Sequence, residues 1–179
     1  MSSIIHYFLL RYIVILILFV QLYADIASCN MELIGSLEFD QELSDITGFY
    51  QDGREFAVVG LTEDAAAFVD ITDPDSLFEV GRIGGTPSIW RDLKYWNRHV
   101  YIGTEAEDGV KVISVDDLDN PVLVNTITDF TNSHNIHIDD AGYLYVVGGS
   151  AADVTWIYEL TDHPENPILV GTWSGEYFH

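Results

Sequence analysis

One cysteine, Cys29, is the chain's whole thiol content, so no intrachain disulfide can staple the fold. Positive charge is almost as scarce. Only 7 Lys and Arg stand against 29 Asp and Glu, a formal charge of −22 over 179 residues. Such a surface repels nucleic acid and anionic membrane, and it suits cationic partners, divalent cations or salt-rich surroundings. Long amphipathic helical patterns are missing. No Gly-rich phosphate loop, EF-hand pattern or serine in a nucleophile elbow occurs. Aromatic and β-branched residues are plentiful instead, which points to an all-β domain with enough apolar mass for one core.

The first 28 residues read as an address. Arg11 is the only charge before the apolar run from Tyr12 to Val20, and the run breaks at Gln21 and Asp25. A positive n-region, apolar h-region and polar exit form an export signal. The alternative is a membrane anchor, since Ile4 to Tyr23 approaches the span of about twenty residues a bilayer needs. His6 and Arg11 interrupt that stretch. The exit, "IASC" from Ile26 to Cys29, resembles a bacterial lipobox, in which small residues precede the cysteine that takes the lipid. Cys29 is therefore the candidate lipidation site, with plain secretion as the alternative. Membrane contact is expected only through the signal or this lipid.

Beyond a linker and first strand region, residues 29–43, the chain repeats. "REFAVVGLTEDAAAFVDITDPDSLFEVG", "RHVYIGTEAEDGVKVISVDDLDNPVLVN" and "GYLYVVGGSAADVTWIYELTDHPENPILVG" align. Gly60, Gly103 and Gly148 lie 43 and 45 apart; Gly81, Asn125 and Gly171 lie 44 and 46 apart. Each unit has an apolar strand, a polar turn, a second strand, an Asp-rich loop and a third strand. A short strand precedes each, beginning at Ser44, Arg91 and His134. Near-continuous apolar runs imply burial on both faces. The glycines are expected to end strands where a bulky side chain would hinder the turn. Proline and Asx residues are expected to turn the chain in "DITDPDS" and "LTDHPENP".

Four short strands in about 40–45 residues describe a β-propeller blade. The expected fold is all-β: about three four-stranded blades over residues 44–179, in repeats 44–90, 91–133 and 134–178. An all-β solenoid is the competing architecture. A closed propeller needs roughly four to eight blades. The expectation is thus a piece of a larger ring, or a chain that pairs to cover its open faces.

"FVDITDPDSLFEVG" and "ISVDDLDNPVLVN" resemble the LVIVD repeat of bacterial surface β-propellers. The ordered set "SDITGF", "EFAVVGLTEDAAAFVDITDP", "WRDLKYWNRHVYIGTEA" and "SHNIHIDDAGYLYVVGG" is similar to the choice-of-anchor B family over about residues 32–179. The resemblance implies export and anchoring at the cell surface by one of several devices. It supplies no defined activity.

His134 and His137 look like a metal pair, but positions i and i+3 on a strand face opposite ways. Their other reading is positional. Asp45, Arg91, Asp92, His134, Asn135 and His179 fall at equivalent places, where first strands begin. Around a propeller axis they would form a polar ring. No resident cofactor is expected, although such a ring could take a divalent cation such as calcium. The same residues could instead satisfy backbone groups and bridge adjacent blades. Trp90, Trp96, Trp156 and Trp173 fit blade packing better than a sugar platform. The functional expectation is an exported, surface-anchored binding or scaffolding module for an unidentified surface ligand or protein. One alternative is a secreted, metal-assisted hydrolase-like propeller. Another is a structural subunit of an envelope assembly.

Overall fold

The structure is a computed structural model that describes residues 31–150 and 153–175. The expected export segment, Cys29 and His179 lie outside the described residues. The chain divides into two units, Met1–Leu33 and Ile34–His179. Every described strand belongs to the second.

Twelve strands form three separate four-stranded antiparallel sheets, and no helix occurs among the described residues. The first sheet is β1 (Leu43–Gln51), β2 (Arg54–Leu61), β3 (Ala66–Asp70) and β4 (Phe78–Ile83). The second is β5 (Arg91–Trp96), β6 (His99–Thr104), β7 (Val110–Ser114) and β8 (Val122–Ile127). The third is β9 (Asn135–Ile138), β10 (Tyr143–Val147), β11 (Val154–Glu159) and β12 (Ile168–Ser174). Each sheet pairs its strands in chain order, so each sequence repeat builds one blade-like meander.

Local chemistry sets these elements. Asp52 and Gly53 take positive φ between β1 and β2, and Asn97 and Arg98 do so between β5 and β6. Short Asx and Gly residues tolerate that region best. In the loops before β4 and β8, Asp73 and Asp117 accept backbone N–H groups two residues on, from Asp75 and Asp119. The side chain thereby makes the turn.

The register slips at one corresponding place in every sheet, between Phe68/Val69, Val112/Ile113 and Ile157/Tyr158. The residues opposite the first member of each pair are Gly81, Asn125 and Gly171. The repeat landmark at Gly81, Asn125 and Gly171 is therefore a β-bulge, which bends the outermost strand and increases its twist.

Two apolar clusters bind the sheets together. Phe49, Phe56, Val58 and Phe68 of the first sheet meet Leu93, Val100, Ile102 and Ile113 of the second. Tyr95 stacks on Phe49 with ring centroids 4.6 Å apart. Tyr101, Val110 and Val112 of the second sheet meet Ile136, Leu144, Val146 and Tyr158 of the third. The second sheet is covered on both faces, which is why β6 and β7 are buried at every residue. In β10 buried residues alternate with more exposed ones, because only one face of the third sheet is covered.

The expectation that Gly60 and Gly103 end strands needs correction. Both lie inside their strands, β2 and β6. A Cβ on Gly60 would stand 2.7 Å from Ser44 Oγ and 2.9 Å from Leu93 Cδ1. On Gly103 it would stand 2.7 Å from Ser133 Oγ and 3.1 Å from Ile136 Cγ2. These glycines let the next sheet's first strand come close. Gly148 alone follows its strand, with φ +68°.

Candidate functional site

The first strands adjoin one another: β1 lies against β5, and β5 against β9. Their N-terminal ends carry most of the polar residues singled out from the sequence.

Asp45 and Asp92 do the same work on successive sheets. The Leu93 N–H donates to Asp45 Oδ2 at 2.8 Å. The Ile136 N–H donates to Asp92 Oδ2, also at 2.8 Å. Each carboxylate caps the free edge of the neighbouring first strand, one residue past the equivalent polar position. Asp92 uses its other oxygen to pair with Lys94. Asn135, the third member of the series, has no further first strand to bridge among the described residues.

Arg91 also joins sheets. It is buried; its Nε donates to Leu61 O at 2.6 Å and its Nη2 to Thr86 O at 2.8 Å. Burial lowers its pKa from the ordinary arginine value, and the charges of Asp108 and Asp64 oppose that. Desolvation disfavours the charged form, whereas nearby anions favour it.

His134 and His137 diverge. The His134 Nδ1 pairs with Glu105, and its ring lies 6.0 Å from that of Trp90. His137 sits on the exposed side of β9 opposite Tyr145, ring centroids 6.3 Å apart. Among the described residues, no group of three or more His, Cys, Asp or Glu side chains is placed to hold a metal ion. Trp96 and Trp156 pack against the core between the second and third sheets, while Trp90 and Trp173 are exposed.

Residues that the sequence did not flag complete the site. Glu105 follows β6 and partners His134, and the Asn132 side-chain amide donates to Glu105 O at 3.0 Å. Ser133 is fully buried against Gly103. Ser44 Oγ, Arg91 Nη1, Asn132 Oδ1 and Ser133 Oγ are buried with no hydrogen-bond partner. A polar atom at or just before the start of each first strand thus has unused capacity, at a cost of about 1–3 kcal/mol for each group left unpaired. Ordered water or a polar ligand would satisfy them. The only advance signal for Ser133 was its place directly before the repeat start.

No protein-family model matches the chain, and no curated protein matches its sequence.

Proposed function

We propose that the protein is an exported, surface-anchored β-propeller segment that binds a polar ligand where its first strands begin. The observation that carries the binding reading is the set of partnerless buried atoms there, Ser44 Oγ, Arg91 Nη1, Asn132 Oδ1 and Ser133 Oγ. The propeller reading rests on three chain-order meanders whose first strands adjoin and are bridged by Asp45 and Asp92. A solenoid that threads one continuous sheet through its repeats does not need a separate sheet for each repeat.

The export signal at residues 1–28, the lipobox ending in Cys29 and the resemblance to choice-of-anchor B proteins support the location. The acidic surface, at −22, suits an aqueous extracellular face and resists contact with nucleic acid. The pairings around the first-strand ends favour a binding module over an enzyme. Glu105 and His134 pair with each other, and Asp45 and Asp92 are spent on backbone N–H groups.

Two experiments test the reading. Protease treatment of intact cells should digest the protein, and Cys29→Ser should release it into the medium; retention inside the cell sinks the location. Affinity capture from envelope extract should retain a partner with the wild-type chain. His134→Ala, whose side chain is partly exposed and outside the apolar core, should lower that capture severalfold. Equal capture by a folded variant contradicts binding at this end.

A further inference from the structure

The sheets meet through one repeated set of side chains. In the second sheet Leu93 stands opposite Ile102 and Val100 opposite Ile113, with Val115 just beyond β7. In the third sheet the same places hold Ile136 opposite Val146, Leu144 opposite Tyr158, and Leu160. None of these side chains is more than 2 % exposed, because the preceding sheet covers them. In the first sheet the places fall to Ile46 opposite Val59, Ala57 opposite Val69, and Ile71. No sheet precedes that one among the described residues. Its five side chains line an open groove of about 540 Å³ instead, and Ile46 is 66 % exposed.

Gly35, Leu37 and Phe39 line the other side of the groove, and residues 34–39 form no strand. Their sequence is nevertheless that of an outermost strand. "IGSL", from Ile34 to Leu37, has the pattern of "VGRI" in β4, "VNTI" in β8 and "VGTW" in β12. Gly35 lies 46 residues before Gly81, in line with the spacings of 44 and 46 from Gly81 to Asn125 and on to Gly171. The packing agrees with the spacing. A Cβ on Gly35 would stand 3.1 Å from Leu77 Cδ1, and one on Gly81 would stand 2.8 Å from Pro121 Cγ. Leu77 and Pro121 each lie four residues before the next landmark, Gly81 and Asn125. Asn125 in turn reaches the corresponding loop of the third sheet, its Nδ2 donating to Glu165 O at 2.9 Å. Residues 34–37 thus hold against the first sheet the place that β4 holds against the second and β8 against the third.

We propose, on the propeller reading above, that Ile34–Leu37 is the outermost strand of a further sheet whose three inner strands fill the groove. The occupant is a three-stranded meander of this same repeat, with the edge of its third strand open. That edge pairs with the backbone of residues 34–37 by strand addition. Its inward face carries large apolar side chains, as Phe49, Phe56 and Phe68 do where the first sheet covers the second. Burying Ile46 and Leu37 beneath it supplies the drive, since removing apolar surface from water is favourable. A second copy of the chain does not fit. Each of its sheets already holds a fourth strand, which would fall where Ile34–Leu37 lies.

The test compares the protein from its native source with the 179-residue chain alone. Hydrogen exchange read by mass spectrometry reports on the strand, and carbene footprinting reports on the groove. Amides of residues 34–37 should exchange at least about tenfold more slowly in the native protein. The carbene should label Ile46 and Leu37 in the chain alone and spare both in the native protein. Spared side chains with equally fast exchange at 34–37 would overturn the strand assignment and leave the propeller reading standing. Labelling of Ile46 that persists in the native protein would overturn the proposal together with the closed ring. Slow exchange at 34–37 in the chain alone would overturn it as well; a dimer by sedimentation would then give the groove to a second copy.

Discussion

At the scale of single residues, the clearest fact is that Asp45 and Asp92 do the same work on successive sheets. Asp45 and Asp92 each accept a backbone N–H from the next sheet, and among the described residues no further sheet offers one to Asn135. A carboxylate bond to a buried N–H contributes more than a neutral pair, and deleting it strands the donor. Asp92→Ala should therefore cost about 1.5–3 kcal/mol in urea unfolding. Asn135→Ala should stay within about 0.5 kcal/mol, as surface changes do. Equal effects would show that the bridges are incidental. The sequence placed these residues at equivalent points because its repeat is strong. It left the bridging and ligand-holding readings of Asp45 and Asp92 both open, since only the path of the neighbouring strand shows which donor each meets. Glu105 was invisible for the same reason. Its pairing with His134 spans 29 residues, and nothing in "GTEAED" marks that acid among its neighbours.

At the scale of strands and sheets, periodicity carried most of the information. The three apolar–turn–apolar units became three meanders, and the landmark at Gly81, Asn125 and Gly171 became the bulge. The role of Gly60 and Gly103 was misjudged. Glycine beside a strand end reads as turn chemistry, whereas here the crowding comes from the adjoining first strands, the next sheet's included. Gly60→Ala should accordingly cost about 1–3 kcal/mol, because the new methyl meets Leu93 and Ser44. Gly171 has open space at its Cβ position and an ordinary negative φ, so Gly171→Ala should be neutral, or stabilising by up to about 1 kcal/mol. Thermal or urea melts of the two variants side by side check both.

At the scale of the whole molecule, charge sets the response to pH. Burial alone would raise the carboxyl pKa of Asp70, but bonds from Thr72 and Arg54 outweigh it and hold it below 3.8. Burial likewise opposes the lowering of Asp108, which Lys111 and the Thr86 N–H bring about. A carboxyl whose folded pKa is depressed adds stability above its unfolded value, and that stability is lost as pH falls through the folded value. Against this, a chain at −22 repels itself near neutrality. Protonating its unpaired carboxylates, from about pH 5 downward, relieves that repulsion. The melting temperature should stay nearly level from pH 8 to about 5, rise as pH drops from about 5 toward 3.8, then fall once pH passes below about 3.8. A curve that declines steadily from neutrality would mean that self-repulsion is negligible. Moderate salt should flatten that rise, since it screens exposed charges.

The most direct test of the central claim is cryo-electron microscopy of the protein isolated from its native source. The account predicts a closed ring of four-stranded blades in which β1, β5 and β9 line the axis, with ligand density where those strands begin. Sheets stacked along an open line, with no common axis, would contradict it.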